Sequence, residues 1–165
     1  MPRRPMTVSG EVVVAAPPTR LYELVSDPAQ MRRWSPENTG ADTDGPLAEG
    51  AEFVGSNRRG PLSWRSRAVV TAAEPGARFA FRVVALGAVG TPWLTAPVAS
   101  WEYRFAAVEG GTRVTETWTD DRHAWPDAVA AVFDRIATGG STFAAFQESN
   151  IRRTLDRLKA DVESS

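Results

Sequence analysis

The sequence has 165 residues, a formal net charge of -1, no cysteine and a single histidine, His123. This length fits one ordinary domain, and the missing cysteines exclude disulfide frameworks, cysteine nucleophiles and zinc sites built on cysteine. With a single histidine as well, we expect no metal and no cofactor. Because the charges are balanced, the sequence lacks the cationic surface of a nucleic-acid binder, and we expect no nucleic-acid partner.

The amino-terminal segment Met1 to Pro5 is basic, but no apolar stretch follows it. No run approaches the roughly 20 apolar residues that a membrane helix needs. We therefore expect a cytoplasmic protein without membrane insertion. All basic residues except Lys159 are arginine, in a chain also rich in Ala, Gly and Pro, which is typical of a GC-rich bacterial genome.

The first elements along the chain are a strand and two short helices. Thr7 to Val14 alternates valines with polar residues, which predicts a strand with one covered face. Pro17 and Pro18 then suit a helix start, and Asp27 can cap a second short helix that begins at Pro28. Trp34 falls on the apolar side of this second helix.

The segment from Ser35 to Asp121 carries the punctuation of successive antiparallel strands. Turn residues, such as Glu74-Pro75-Gly76, separate alternating segments of about eight to twelve residues. The alternation assigns one aromatic face to the interior. Its inward positions include Trp64, Phe79, Phe81, Trp101, Tyr103, Glu116 and Trp118.

Two helices are predicted at the carboxyl end. Pro126 and Asp127 suit a first turn, and the apolar residues that follow at helical spacing are Val129, Val132, Phe133 and Ile136. Gly139-Gly140 interrupts this helix, and Ser141 can start the next. The last helix carries one apolar stripe over about five turns. The stripe consists of Ala144, Gln147, Ile151, Leu155, Leu158 and Val162.

The order of these elements predicts an α+β domain whose antiparallel sheet curls around the long terminal helix. No repeat or linker divides the chain, so we expect one domain over residues 1–165, with its core at about 7–162. Several segments occur in an order that indicates a family resemblance, namely Ala16-Pro17-Pro18 with Leu21 and Tyr22, Val25 to Pro28, Met31 to Pro36, Trp64, Glu74-Pro75-Gly76, Phe79 to Val83, Trp101 with Tyr103, Gly111 to Glu116, and Thr154 to Lys159. Together they resemble the helix-grip fold, in the polyketide cyclase/dehydrase-type branch of the SRPBCC (START and birch-pollen-allergen-like) superfamily.

The resemblance implies a large apolar cavity between the sheet and the terminal helix. Such a cavity would bind a hydrophobic small molecule of polyketide, aromatic or lipid-like character, and two functions remain open. The protein is either a cyclase or dehydratase that uses acid/base chemistry, or a carrier that needs only the cavity wall. A third alternative is a protein-binding module like the chaperone activators of this fold, which requires an exposed apolar patch.

Glu116 is the most informative charged residue, because it lies between Val114 and Trp118 on the inward face of a strand. A carboxyl group there could act as a general acid or base, with Tyr103 across the sheet as its partner. The alternatives are a buried ion pair with an arginine or a position at the solvated rim. The predicted ligand-binding residues are Trp34, Trp64, Phe79, Phe81, Trp93, Trp101, Trp118, Gln147 and Ile151, for which core packing is the alternative.

Three further segments are assigned by composition. Gly87 to Pro97 carries Trp93 and Leu94 between glycines and prolines, which suggests a lid over the cavity. Glu37 follows the second short helix, where it faces either the cavity opening or solvent. Asp120 to His123 is interpreted as a polar strand end and not as a metal site or catalytic triad, although His123 is a third candidate for proton transfer.

Overall fold

A computed structural model describes residues 7–88, 93–123, 125–138 and 142–165 of the protein. Within these ranges the chain forms strands, α-helices and a short 3₁₀ helix at Pro28–Arg33. The strands are β1 (Thr7–Val14), β2 (Asn38–Ala41), β3 (Glu52–Arg59), β4 (Leu62–Glu74), β5 (Arg78–Gly87), β6 (Leu94–Val108) and β7 (Gly111–Asp120). The α-helices are α1 (Pro18–Val25), α2 (Asp127–Thr138) and α3 (Phe143–Glu163).

The strands form one antiparallel sheet in the order β1-β7-β6-β5-β4-β3-β2. The first strand of the chain, β1, pairs with the last, β7. The sheet curls into a half-barrel against the carboxyl-terminal helix, which confirms the predicted α+β helix-grip fold.

Helix α3 lies against β1 and β7 through the predicted apolar stripe. Ile151, Leu155 and Leu158 are almost fully buried. The closest approach is at Gly10 of β1, where a Cβ atom would come within 2.8 Å of Ile151 Cγ2. Thr142 caps the helix by accepting a hydrogen bond from the Ala145 amide at 3.2 Å, whereas Gly139 to Ser141 lie outside the described residues.

The two short helices follow β1 as predicted and cover one end of the sheet. The Asp27 side chain accepts a hydrogen bond from the Ala29 amide at 3.0 Å, which confirms its predicted role as a cap. Trp34 is fully buried, and its indole Nε1 donates to Asp161 of α3 at 2.8 Å. This bond ties the end of the 3₁₀ helix to the last turns of α3.

Helix α2 forms as predicted, but two residues that were expected on its buried face, Val129 and Val132, are exposed. Val129 and Val132 are 54% and 61% exposed, whereas Ala130 and Asp134 are buried. The physical reason is an ionic contact, because Arg122 Nη1 lies 2.7 Å from Asp134 Oδ1. This buried ion pair holds the Asp134 side of α2 inward, and the two valines lie on the exposed side.

The segment between β5 and β6 is shorter than the predicted lid. Strand β5 extends to Gly87 and β6 begins at Leu94, so Leu94 to Pro97 belong to the sheet. Residues 89–92 of this predicted lid lie outside the described part of the chain. Within the described ranges, the structure contains no helix with the length and apolar character required to cross a membrane.

Candidate functional site

A cavity of about 510 Å³ lies between the inner face of the sheet and α3. This volume falls within the range of small-molecule sites, roughly 300–1,000 Å³. Strands β3 to β7 supply most of the wall, and the short helices and α3 complete it. The central part of the wall consists of Phe53, Trp64, Ala68, Phe79, Phe81, Val83, Val98, Trp101, Tyr103, Glu116, Gln147 and Thr154.

A row of aromatic rings crosses the wall from β3 to β6. Phe81 and Trp101 stack nearly in parallel, with centroids 5.6 Å apart and an interplanar angle of 13°. Phe53 meets Phe81 edge-on at 5.4 Å. The row arises from alternation on paired strands, since Phe81 and Trp101 lie directly opposite each other. It gives the cavity a flat, polarisable side.

Tyr103 and Glu116 form a hydrogen-bonded pair on the same wall. They are direct partners in the pairing of β6 with β7, and the Tyr103 hydroxyl donates to Glu116 Oε1 at 2.8 Å. Glu116 is only 3% exposed, and its other oxygen, Oε2, has no hydrogen-bond partner among the described residues. Among the described residues, Glu116 contacts Tyr103 and forms no ion pair with an arginine, and its burial places it in the interior and not at a solvated rim.

Burial controls the protonation of this pair. Desolvation raises the pKa of Glu116 to about 8, although the hydrogen bond from Tyr103 lowers it in part. Desolvation and the neighbouring Glu116 carboxyl raise the pKa of the Tyr103 hydroxyl well above its usual value. Glu116 is therefore mostly protonated at neutral pH and can both donate and accept a proton near that pH.

A second carboxyl group, that of Glu37, lies on the cavity wall. Asn150 Nδ2 of α3 donates to Glu37 Oε1 at 3.3 Å. Burial raises the pKa of Glu37, while the Asn150 hydrogen bond and the charge of Arg59 lower it. Leu62 and Leu94 are exposed wall residues, so we place the opening beside them.

Comparison with known proteins identifies the family of the chain. The model of the family described as polyketide cyclase / dehydrase and lipid transport matches residues 5–163. The chain belongs to this family. The predicted resemblance to the SRPBCC superfamily is thereby confirmed. No curated protein matches the sequence.

Several solved structures share the fold of this chain. Protein CV1439 from Chromobacterium violaceum has 16% identity and a TM-score of 0.67, with 96% of this chain and 99% of that chain covered. An AHSA1-like protein from Aeromonas hydrophila has 20% identity and a TM-score of 0.62, covering 96% and 93%. The Polyketide_cyc-like protein Cgl2372 from Corynebacterium glutamicum has 27% identity and a TM-score of 0.53, covering 95% and 91%.

In the present chain, some of the predicted site residues lie on the cavity wall and the others lie elsewhere. The wall includes Trp64, Phe79, Phe81, Trp101, Tyr103, Glu116 and Gln147. Trp34, Trp118 and Ile151 are buried as predicted, but the wall does not include them. Ile151 packs against β1 at Gly10, and Trp34 hydrogen-bonds Asp161, so these two side chains contribute to the core.

Trp93 occupies a different place from that expected of a lid. The guanidinium groups of Arg65 and Arg67 lie 4.7 Å and 4.6 Å from the centroid of its ring. These arginines alternate with Trp64 and Ser66, which line the cavity, so Trp93 stacks on the opposite face of β4. A guanidinium group over an indole is favourable. The described structure thus does not place Trp93 over the opening.

The cavity wall also does not include the polar residues between β7 and α2, namely Asp120, Asp121 and His123. Asp120 pairs with Arg122, and Asp121 accepts a hydrogen bond from Ser100. His123 is exposed in a turn. Within the described ranges, no group of three or more His, Cys, Asp or Glu side chains could hold a metal ion.

Three wall residues of α3 were not predicted from the sequence, namely Phe146, Asn150 and Thr154. Asn150 and Thr154 follow Gln147 at intervals of three and seven residues, so they share its helix face. This spacing is a signal that could have found them. Asn150 and Thr154 are polar, so a pattern defined by apolar residues does not include them.

Proposed function

We propose that the protein binds a hydrophobic small molecule in the cavity, with the Tyr103–Glu116 pair contacting a polar group of that molecule. One observation carries the proposal: an apolar cavity of about 510 Å³ contains a buried carboxyl oxygen without a described partner. An empty cavity costs stability, because the atoms of its wall lose packing contacts. A bound ligand would restore those contacts and satisfy the carboxyl group.

A second candidate function, acid/base catalysis, is favoured by the position of Glu116. A general acid works best when its pKa lies near the operating pH, and burial raises the pKa of Glu116 to about 8. In dehydration of a β-hydroxy ketone, protonated Glu116 would give its proton to the leaving hydroxyl group, which departs as water. The resulting carboxylate would then take the proton from the α carbon, so the acid is regenerated.

Binding is testable with a neutral polyaromatic probe such as 1-hydroxyanthraquinone. We expect saturable quenching of tryptophan emission, because Trp64 and Trp101 line the cavity. Trp101→Leu should weaken binding by about 10-fold, since it removes the large aromatic surface beside Phe81. Fluorescence titration of the native protein and the variant measures both effects.

The matched control is Trp93→Leu, which removes an indole from the opposite face of the sheet. Its probe affinity and release rate should equal those of the native protein. A native protein that shows no saturable quenching would contradict the binding proposal. Faster release from Trp93→Leu would instead restore the lid function of this tryptophan.

Catalysis is tested with an aromatic β-hydroxy ketone such as 4-hydroxy-4-(2-naphthyl)butan-2-one, whose enone product absorbs at longer wavelength. If the protein is a dehydratase, Glu116→Gln should lower turnover by about 100-fold or more, with little change in substrate affinity. Glu11→Gln, which changes an exposed carboxyl group of β1 outside the cavity wall, is the control and should retain turnover. If native protein binds the ketone without accelerating water loss, the carrier function is supported.

A further inference from the structure

The ionisable side chains on the described cavity wall include carboxyl groups and a phenol but no basic group. Its ionisable side chains, within the described residues, are Glu37, Tyr103 and Glu116. None of them can carry a positive charge. A ligand carboxylate or phosphate beside Glu116 would therefore meet a carboxyl group and no cationic side chain of the described wall, which is unfavourable in a desolvated site.

The unsatisfied atom on this wall calls for a specific kind of ligand group. Because Tyr103 donates to Glu116 Oε1, the proton of the neutral carboxyl group resides on Oε2, which has no described acceptor. A ligand atom that accepts this proton, or a cation that pairs with the carboxylate after proton loss, would satisfy Oε2. A basic nitrogen does both.

The aromatic part of the wall also favours positive charge. The faces of Phe and Trp rings carry negative electrostatic potential and attract cations. Phe81 and Trp101 stack on the wall that also holds Glu116. The polar side chains that α3 contributes nearby, Gln147 and Thr154, are uncharged.

We propose that the ligand is an amine with an aromatic or otherwise apolar body, and that its ammonium group pairs with Glu116 inside the cavity. This inference rests on the proposed binding function and names its ligand class. In this arrangement Glu116 anchors the ligand, so the inference favours the binding function over dehydration. Arg59, whose charge acts on Glu37, repels an ammonium group from Glu37 and leaves Glu116 as the preferred partner.

Binding of an ammonium ion requires Glu116 to lose its proton, and that loss is measurable. With a pKa of about 8, Glu116 is roughly nine-tenths protonated at about pH 7. The phenol of Tyr103 stays neutral at this pH, because burial raises its pKa. We therefore expect a net release of protons on amine binding, up to about one proton for each amine bound.

The test uses three probes that share one naphthalene body: 2-(1-naphthyl)ethylamine, 2-(1-naphthyl)ethanol and 1-naphthylacetate. Isothermal titration calorimetry at about pH 7, in phosphate and in MOPS buffer, gives the affinity and the number of protons released. The amine should bind at least about 10-fold more tightly than the alcohol, and the carboxylate most weakly. Glu116→Gln should bind amine and alcohol equally and release no proton.

Glu11→Gln is the matched control, because it makes the same change at an exposed carboxyl group of β1 that is not part of the cavity wall. It should keep the preference for the amine and the proton release. If the alcohol binds as tightly as the amine, or Glu116→Gln keeps the preference, the amine inference is wrong while the binding proposal stands. If none of the three probes binds, both are contradicted.

Discussion

Replacing Glu116 with glutamine is expected to make the protein more stable than the native chain at about pH 9, and about equally stable near pH 5. The folded-state pKa of Glu116 is raised from 4.5 to about 8 by burial. The native state therefore holds a proton that the unfolded chain has released between these two pH values. The contribution is fully present below about pH 4.5 and is lost as the pH rises through about 8.

The size of the effect follows from the size of the shift. One pKa unit corresponds to about 1.4 kcal/mol, so the native protein should lose up to roughly 5 kcal/mol across this window. Glutamine keeps the shape and the neutral character of the protonated acid but cannot ionise. Urea unfolding of both proteins at several pH values between about 5 and 9 gives the two stability curves.

Two further variants sharpen this comparison. Tyr103→Phe removes the hydrogen bond that lowers the pKa of Glu116, so its stability loss should extend to higher pH than in the native protein. Glu11→Gln changes an exposed carboxyl group on β1, and its curve should stay parallel to the native one. If the curves of Glu116→Gln and the native protein are also parallel, Glu116 ionises freely in the folded state.

The inward position of Glu116 could be predicted from the sequence, because strand alternation assigns every second residue to the same face. The sequence suggests its hydrogen bond to Tyr103 but does not determine whether the two side chains meet. That bond depends on the register of β6 with β7, where a slip of one residue would turn Tyr103 to the other face. Register is set by turns and packing along the whole sheet.

Alternation also could not separate the tryptophans of the cavity from those of the core. Trp101 and Trp118 are direct partners on neighbouring strands, and both point inward, yet only Trp101 belongs to the wall. The difference arises because α3 packs on the β1 and β7 side of the sheet and leaves space over β3 to β6. Where a helix rests on a sheet is a tertiary property, which the pattern of one strand does not contain.

Trp93 illustrates a similar limit. Its apolar surroundings in sequence favoured a lid, but the ring stacks on Arg65 and Arg67. These arginines lie 28 and 26 positions before Trp93 in the sequence, and strand alternation with the inward Trp64 places them on the outward face without indicating what packs there. Contacts between a loop and a distant strand face depend on how the sheet curls.

The buried ion cluster around Arg122 was likewise seen in the sequence only as a polar strand end. Arg122 Nη2 lies 2.8 Å from Asp120 Oδ2, and its Nε donates to Asp120 Oδ1 at 2.9 Å. Its third contact, Nη1 to Asp134, reaches across to α2. All three side chains are nearly inaccessible to solvent, so the cluster joins the end of β7 to the buried face of α2.

Replacing Arg122 with methionine is expected to lower the free energy of unfolding by roughly 3 to 5 kcal/mol, because two buried carboxylates lose the guanidinium group that both contact. Urea unfolding measures this loss of stability. Hydrogen exchange should show that the substitution speeds amide exchange in α2 more than in α3. The matched control is Arg113→Met, because Arg113 pairs with Glu11 at 3.9 Å and both side chains are about half exposed. Exposed pairs contribute at most about 1 kcal/mol. Equal losses in the two variants would contradict a structural role for the Arg122 cluster, and unchanged exchange in α2 would show that the cluster does not hold this helix.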